Sequence, residues 1–440
     1  MRRLLFLALV FLAVESAAQY RDPYAGLYES DVSMAMREHI GFLSSAALEG
    51  RKYGSEGEKE AARYVYDALE ACGVDMFSGR DGDVFGMRGE NGDTLTSRNV
   101  LGFIPGYDKT LKNHYIVIGA RLDNLGTAGF TIDGERKEKI FYGANGNASG
   151  LAMLVQLAKR LNVNRVLLKR SVIIAAFGAS LNMGAGAWYF LNRSFPDAEN
   201  IDAMINLDMV GTGSSGFYCY TSSNADMNDF VVALSNTLQP VHPQLVGKEP
   251  VNSDHRIFYD KEIPSIMFTT GMYPEYNSEK DTESIIEYQD MERELEYVYN
   301  FSVSLANGKK PEFIRSDETK KKSPYPGGVV PYYECDVKPV FLGSSDPAFF
   351  LKKWVYVYVR YPEAAVKNGI QGRVLVDFII DEKGKVSDVS VRKGVDPLLD
   401  EEAVRVIEAS PAWKPARVGG KKVKSSVSLY VEFRLKKRKR

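Results

Sequence analysis

The sequence predicts two domains in series: an α/β domain with a mostly parallel or mixed sheet flanked by helices, then a small α+β domain with an antiparallel sheet. Three observations carry that reading. Residues 115–120 and 171–177 are short apolar runs of the kind buried on both faces of a parallel sheet, and a helical pattern at 151–161 lies between them. Residues 372–380 alternate instead, and a turn at 381–384 returns the chain along 386–391. Between the two patterns, prolines, glycines and lysines break any period from 308 to 335. With 440 residues, 45% hydrophobic and 26% charged, the chain has the length for two globular domains.

The elements follow in order. Arg2 and Arg3, an apolar run at 4–14 and the small residues Ser16, Ala17 and Ala18 read as a cleaved export signal over 1–18. That run is too short to span a bilayer comfortably, and no later run is long and apolar enough to do so. The expectation is a periplasmic mature protein with domains at 19–307 and 336–440 and a linker at 308–335. From Asp31 the pattern is helix, tight turn, helix, with Met36, Ile40, Phe42 and Leu43 on a packed face. Ser55 and Glu58 have capping-box spacing before the helix of 61–69. Residues 78–97 are polar and glycine-rich, a loop or an exposed hairpin, and 99–106 read as a strand. In the second domain a helix opens at Tyr361-Pro362, two strands follow, Leu398, Leu399, Ala403, Val406 and Ile407 line an amphipathic helix, and 423–435 form a last strand. The order is α-β-β-α-β.

Charge is divided unevenly. From Asp336 onward there are 22 Lys+Arg against 13 Asp+Glu, a surplus of nine, which leaves 34 against 44 for the rest. The second domain therefore favours anionic neighbours, while no nucleic-acid partner is expected. The tail 436–440 reads as a solvated charge run. Cys72, Cys219 and Cys335 are odd in number and lack zinc-site spacing, so isolated buried thiols are expected, although one bridge is possible in an oxidising compartment. Four histidines exist, and His255 reads as a hydrogen-bonded structural residue.

The stretch Gly143-Ala144-Asn145-Gly146-Asn147-Ala148-Ser149-Gly150 marks the change from extended chain to helix, where small residues let backbone approach a ligand closely. It is similar to the signature of the di-zinc aminopeptidases and carboxypeptidases of clan MH, and so is the segment 48–57. In that family the two variable places read Asp-Asp, the first bridging two zinc ions; here they are Asn145 and Gly146. The resemblance extends to four more places. Arg121 stands where a zinc-binding histidine is expected, two residues before a retained Asp123. Ser180 and Leu181 stand where the general base and a ligand glutamate are expected. Asp208 keeps a ligand position, and Asn277 replaces a ligand histidine.

A hydrolytic zinc needs about three ligands from His, Cys and carboxylate, and a bimetallic site needs more. Of the positions Arg121, Asn145, Leu181, Asp208 and Asn277, only Asp208 retains a metal-binding side chain. The resemblance thus implies a peptidase fold without cofactor, with Arg121, Asp123 and Asp208 left to define a degenerate cleft able to bind peptides. The alternatives are a metallopeptidase with a rearranged zinc site, or a hydrolase using Ser180.

In the last domain Tyr361-Pro362, Gly372-Arg373-Val374, Gly384-Lys385-Val386, Leu399-Asp400-Glu401-Glu402-Ala403 and Trp413-Lys414-Pro415-Ala416 occur in the order of the TonB C-terminal domain, which this region resembles from about 339 to 435. The resemblance implies binding of an extended segment of an outer-membrane transporter, or another envelope protein, by strand addition. The strand carrying Val427, Leu429, Val431 and Phe433 is the expected edge. A cleaved signal and a globular domain replace the membrane anchor and long spanner of a transducer, so partner binding is expected and force transmission is not.

Overall fold

The computed structural model describes residues 29–88, 92–132, 135–213, 216–221, 224–246, 252–314, 329–332 and 335–435. The export signal, the tail 436–440 and most of the expected linker lie outside the described residues.

The first domain is organised on one mixed sheet. Its strands are β1 (Asp75–Met76), β2 (Asp83–Arg88), β3 (Thr94–Ile104) and β4 (Tyr115–Arg121), then, after a separate hairpin of β5 (Gly126–Ile132) and β6 (Glu135–Phe141), β7 (Ser171–Phe177), β8 (Ile201–Leu207), β9 (Tyr218–Tyr220), β10 (Gln244–Leu245) and β11 (Ser265–Thr269). The order is β1-β3-β7-β4-β8-β11-β9-β10, with β2 on β3. The centre, β7-β4-β8-β11, is parallel, and every residue of β4, β7 and β8 is buried. That explains the near-continuous apolar runs of β4 and β7, while β8 also buries Asp202 and Asn206. Towards the edges β3 runs antiparallel to β7 and β9 antiparallel to β11, while β10 lies parallel to β9. The stretch read as loop or hairpin is a hairpin, with Asp83 opposite Asn99.

Alternation within these strands separates two layers. Ile116, Ile118, Ala120, Val172, Ile174 and Ala176 pack with α1 (Asp31–Leu43), α2 (Glu56–Ala71), α3 (Ser149–Val163), α5 (Ala225–Ser235) and α7 (Tyr288–Asn307). Tyr115, Val117, Ile173, Ala175 and Phe177 pack on the other face with α4 (Ala185–Tyr189) and α6 (His255–Asp260). The helix starts are capped as their sequences imply: Ser30 Oγ accepts from Ser33 N–H at 3.0 Å and Ser55 Oγ from Glu58 N–H at 3.2 Å. Glu58 departs from the capping box. Its carboxylate accepts from Gly54 N–H at 2.7 Å and from Ser97 Oγ, tying α2 to β3.

The second domain contains α8 (Pro347–Phe350), α9 (Tyr356–Tyr358), α10 (Glu363–Lys367) and α11 (Pro397–Glu408). Its sheet is β12 (Val329–Pro331), β17 (Lys424–Phe433), β13 (Gly372–Ile380) and β14 (Val386–Lys393), in that order, and β15 (Arg417–Val418) pairs with β16 (Lys421–Lys422). Val374, Val376, Phe378, Ile380 and the odd residues of β17 meet Leu399, Ala403, Val406 and Ile407 of α11 in one core. Trp413 closes that core against Phe350, 4.8 Å between ring centroids, and Phe341, 5.0 Å. The hairpin turn needs Gly384, whose φ is 86° and where a Cβ would collide with the Trp413 carbonyl.

One part of the expected linker is strand. Val329, Val330 and Pro331 pair in parallel with Lys424, Ser425 and Ser426. Pro331 concealed it in the sequence, although a proline is compatible with the end of an edge strand. Cys72, Cys219 and Cys335 stand apart, with no disulfide between them. Among the described residues no helix is long and apolar enough to cross a membrane.

Candidate functional site

The sequence-predicted site residues gather at the carboxyl ends of the parallel strands, where α/β sheets present their ligand sites. Ala120 and Leu207 are partners across β4 and β8, so the next residues, Arg121 and Asp208, stand side by side. Arg121 Nη2 donates to Asp208 Oδ1 at 3.2 Å, with side-chain exposures of 4% and 2%. Ser253 Oγ donates to Asp208 Oδ2 at 2.7 Å and accepts from Asn206 Nδ2 at 2.8 Å. Arg121 Nε is buried without a hydrogen-bond partner among the described residues. Burial opposes the Arg121 charge, but Asp208 and Asp123 outweigh it and hold the guanidinium above its ordinary pKa. The cation is fixed.

The glycine-rich turn corrects one expectation. Asn145 does not aim its carboxamide at Arg121. Its Oδ1 accepts from Gly211 N–H at 2.7 Å and Ser149 Oγ at 3.0 Å, and its Nδ2 donates to Thr212 Oγ1 at 3.3 Å. The position that faces the cleft is Gly146, where a Cβ would lie 3.7 Å from Arg121 Nη2, 3.3 Å from Asp281 Oδ2 and 3.0 Å from Tyr273 Oη. A carboxamide can satisfy the end of β8 by itself, whereas glycine leaves the space before Arg121 without a side chain. Asn147 holds the turn to β8: Nδ2 donates to the Leu207 carbonyl at 2.9 Å, and Oδ1 accepts from Met209 N–H at 3.0 Å and Gly150 N–H at 3.2 Å.

The pair expected where the general base would stand is also committed elsewhere. Ser180 and Leu181 both donate their N–H groups to the Asp123 carboxylate, at 2.7 and 3.1 Å. Burial raises Asp123 to about 6, against the pull of Arg121 and those two N–H groups. Ser180 Oγ lies 2.7 and 2.9 Å from the oxygens of Asp254, a carboxyl that burial pushes up to about 8. His255 is fully buried, its ring edge-on to Tyr220 at 5.8 Å. Asn277 is exposed and in the left-handed region, with φ of 54°.

Two residues of the site went unassigned in the sequence. Arg51 is fully buried and donates to the carbonyls of Leu122, Leu43, Tyr142 and Gly143, bracing the glycine-rich turn from below. Burial, with Arg121 nearby, lowers it to about 10. Asp281 accepts from the N–H groups of Asn145 (2.7 Å) and Gly146 (3.1 Å) and from Tyr273 Oη (2.6 Å). Arg51 and Asp281 both lie inside motifs legible in the sequence. Their roles as props for the turn were not, because they act through backbone atoms.

Residues 99–302 match the sequence model of Peptidase family M28, and residues 357–435 match that of the Gram-negative bacterial TonB protein C-terminal. The chain joins an M28 peptidase domain to a TonB C-terminal domain. Among solved structures, an aminopeptidase from Aneurinibacillus sp. strain AM-1 aligns at a TM-score of 0.51 and 18% identity over 64% of this chain and 95% of that one. A zinc aminopeptidase from Bacillus subtilis aligns at 0.49 and 14% over 64% and 98%, and a glutaminyl cyclase from Porphyromonas gingivalis at 0.48 and 17% over 61% and 97%. The likeness to the first is one of fold, an aminopeptidase-like α/β domain.

The M28 domain's residues do not fit a hydrolytic zinc. A fixed cation occupies the Asp208 carboxylate, Gly146 and Leu181 offer no donor side chain, and the Asn145 carboxamide is turned away. Among the described residues no three His, Cys, Asp or Glu side chains come together to hold a metal ion.

The TonB C-terminal domain corrects a second expectation. Val427, Leu429, Val431 and Phe433 point into the core against α11. Glu432 N–H reaches outward to Tyr356 Oη at 3.4 Å. Ladder alternation then sends the backbone groups of 427, 429, 431 and 433 to β13, and those of Ser428, Tyr430 and Glu432 to the outer edge. The even residues, not the odd ones, offer hydrogen bonds to an added strand.

Proposed function

We propose that this chain is an exported periplasmic adaptor whose M28 domain does not hydrolyse peptides, and whose TonB C-terminal domain binds an extended segment of an outer-membrane transporter or another envelope protein. The observation carrying the first half is the buried Arg121–Asp208 pair, a cation supplied by the chain where the fold family uses metal. It neutralises Asp208 without leaving an open position to activate water. The partner half rests on the TonB C-terminal match and on the outward edge of β17 beyond Ser426.

The test is turnover of aminoacyl-anilide substrates by the purified full chain, with zinc added and with a chelator. No turnover above a buffer blank under either condition is expected. Chelator-sensitive turnover would establish the metallopeptidase alternative instead.

A further inference from the structure

The TonB-type sheet has α11 on one face, and its other face looks onto the M28 domain. Glu275 belongs to the loop after β11 that also carries Tyr273 and Tyr276 beside the degenerate site, and it forms an ion pair with Arg373 of β13. Glu287, at the start of α7, forms another with Lys393 of β14. Tyr430 lies under the Arg373 guanidinium, 4.7 Å from ring centroid to Cζ, and its phenol is pushed up to about 12 by burial with Glu287 and Glu275 nearby.

These contacts leave a cleft of about 1110 Å³ alongside β17, with walls from both domains. Met272, Pro274 and Ser284 stand on the M28 side, and Ser428 and Tyr430 on the other. The outer edge of β17 opens into this cleft. β12 covers that edge only from Lys424 to Ser426 and ends at Pro331, which has no N–H to continue a ladder. Beyond it, among the described residues, no strand pairs with the outward groups of Ser428 and Tyr430. A strand rises about 3.3 Å per residue, so the open stretch accepts about five extended residues.

The chemistry of the occupant can be read from what already lies on this edge and from the charges around it. The chain's own segment there is Val329-Val330-Pro331, uncharged and β-branched, with Val330 buried beside Cys335 and Ala416. Most charges lining the cleft are answered within the protein: Arg373 by Glu275, Arg392 by Asp377 at 2.6 Å, Arg434 by Glu432 at 2.7 Å, Glu279 by Lys139 at 3.3 Å and Asp346 by the Ala348 N–H at 2.8 Å, while Lys338 lies 5.0 Å from the centroid of the Tyr332 ring and Lys280 has no ion pair among the described residues. A segment carrying several charges would therefore meet few complements, whereas an uncharged one would bury against tyrosines and find the open ladder groups of β17.

We propose that the M28 domain is the second wall of the peptide site. An uncharged extended segment of about five residues, with β-branched or aromatic side chains at alternate positions, adds to β17 and is covered by the loop carrying Met272, Pro274 and Ser284. This rests on the strand-addition reading above and extends it, since the same loop also borders the Arg121 cleft.

The experiment uses the full chain and a displayed library of random heptapeptides. Selected peptides are labelled, and their Kd values are measured by fluorescence anisotropy on the unaltered chain, on Ser428→Pro, and on the doubly substituted Pro274→Asp/Ser284→Asp. Pro274 and Ser284 are exposed, so the double substitution places charge in the cleft without disturbing the fold. A peptide copy N-methylated at alternate amides, tested on the unaltered chain, removes ladder donors without touching the protein. Selected peptides are expected to be uncharged and β-branched or aromatic at alternate positions. N-methylation and each variant are expected to weaken them at least tenfold. If the wall variant binds as the unaltered chain does while Ser428→Pro and N-methylation abolish binding, the second wall is refuted and strand addition stands. Peptides indifferent to both Ser428→Pro and N-methylation would refute strand addition itself. A library yielding no binder would refute both.

Discussion

Replacing Arg121 by Met keeps most of the side-chain volume and removes the cation. Two carboxylates are then left in the protein interior without it: Asp208, whose side chain is 2% exposed, and Asp123, fully buried. Removing one partner of a buried pair costs about 3–5 kcal/mol, because the remaining charge keeps its desolvation penalty without its counter-ion. Ser253 Oγ still donates to Asp208 and two N–H groups still donate to Asp123, which places the expected cost toward the lower end of that range. By the size scaling of unfolding, the M28 transition should drop on the order of 10 °C. The deficit should shrink as pH falls, since Asp123, already raised to about 6 against the pull of Arg121, escapes its penalty by taking up a proton. Calorimetry of the unaltered chain and the variant at pH 8 and pH 5 measures both effects. A change below about 1 kcal/mol at pH 8 would refute the reasoning, because that is the scale of an exposed pair.

Three further outcomes are expected. Asp123, Glu58 and Asp254 are carboxyls raised chiefly by burial to about 6, 7 and 8. The stability each contributes by holding its proton is fully present below the unfolded value near 4 and lost as pH rises through its folded value. Denaturant midpoints of the M28 domain should therefore fall between about pH 5 and pH 9, and a midpoint rising across that range would contradict these assignments. Gly150→Ala places a Cβ 2.5 Å from the Asn147 carboxamide and 2.6 Å from the Leu207 carbonyl, so it should cost about 1–3 kcal/mol by chemical denaturation. Trp413→Ala removes the ring that closes the TonB-type core and should cost about 3–5 kcal/mol, read as loss of that domain's own transition while the M28 transition is kept.

The fold was legible where sequence period and burial agree. β4 and β7 are near-continuous apolar runs because helices cover both faces, and β13 alternates because only one face meets α11, whereas Asp202 and Asn206 interrupt β8 and hid it. β12 was not legible, since three residues ending in proline give no period and are held in place by β17 rather than by local preference. The same division applies to the site. That Arg121, Asp123 and Asp208 share one cleft followed from motif positions, while the choice of Asp208 as the partner of Arg121 depends on the register of β4 against β8. The rotation that turns Asn145 away and brings Gly146 to face the cleft depends on which backbone groups at the end of β8 need partners, a tertiary matter that spacing does not encode. β17 was expected as the edge through the TonB resemblance and its place last in the chain, but in a sheet covered on one face its apolar side chains mark the core, and the open edge is presented by their alternates.

The central claim is that a fixed cation has taken the place of metal in the M28 domain. Isothermal calorimetric titration of zinc into the metal-free full chain at pH 7.5, repeated on Arg121→Ala, tests it most directly. The account predicts no stoichiometric binding isotherm for either protein, since removing the guanidinium restores no missing ligand. A one- or two-site isotherm with the unaltered chain, abolished by substitution of Asp208, would contradict it.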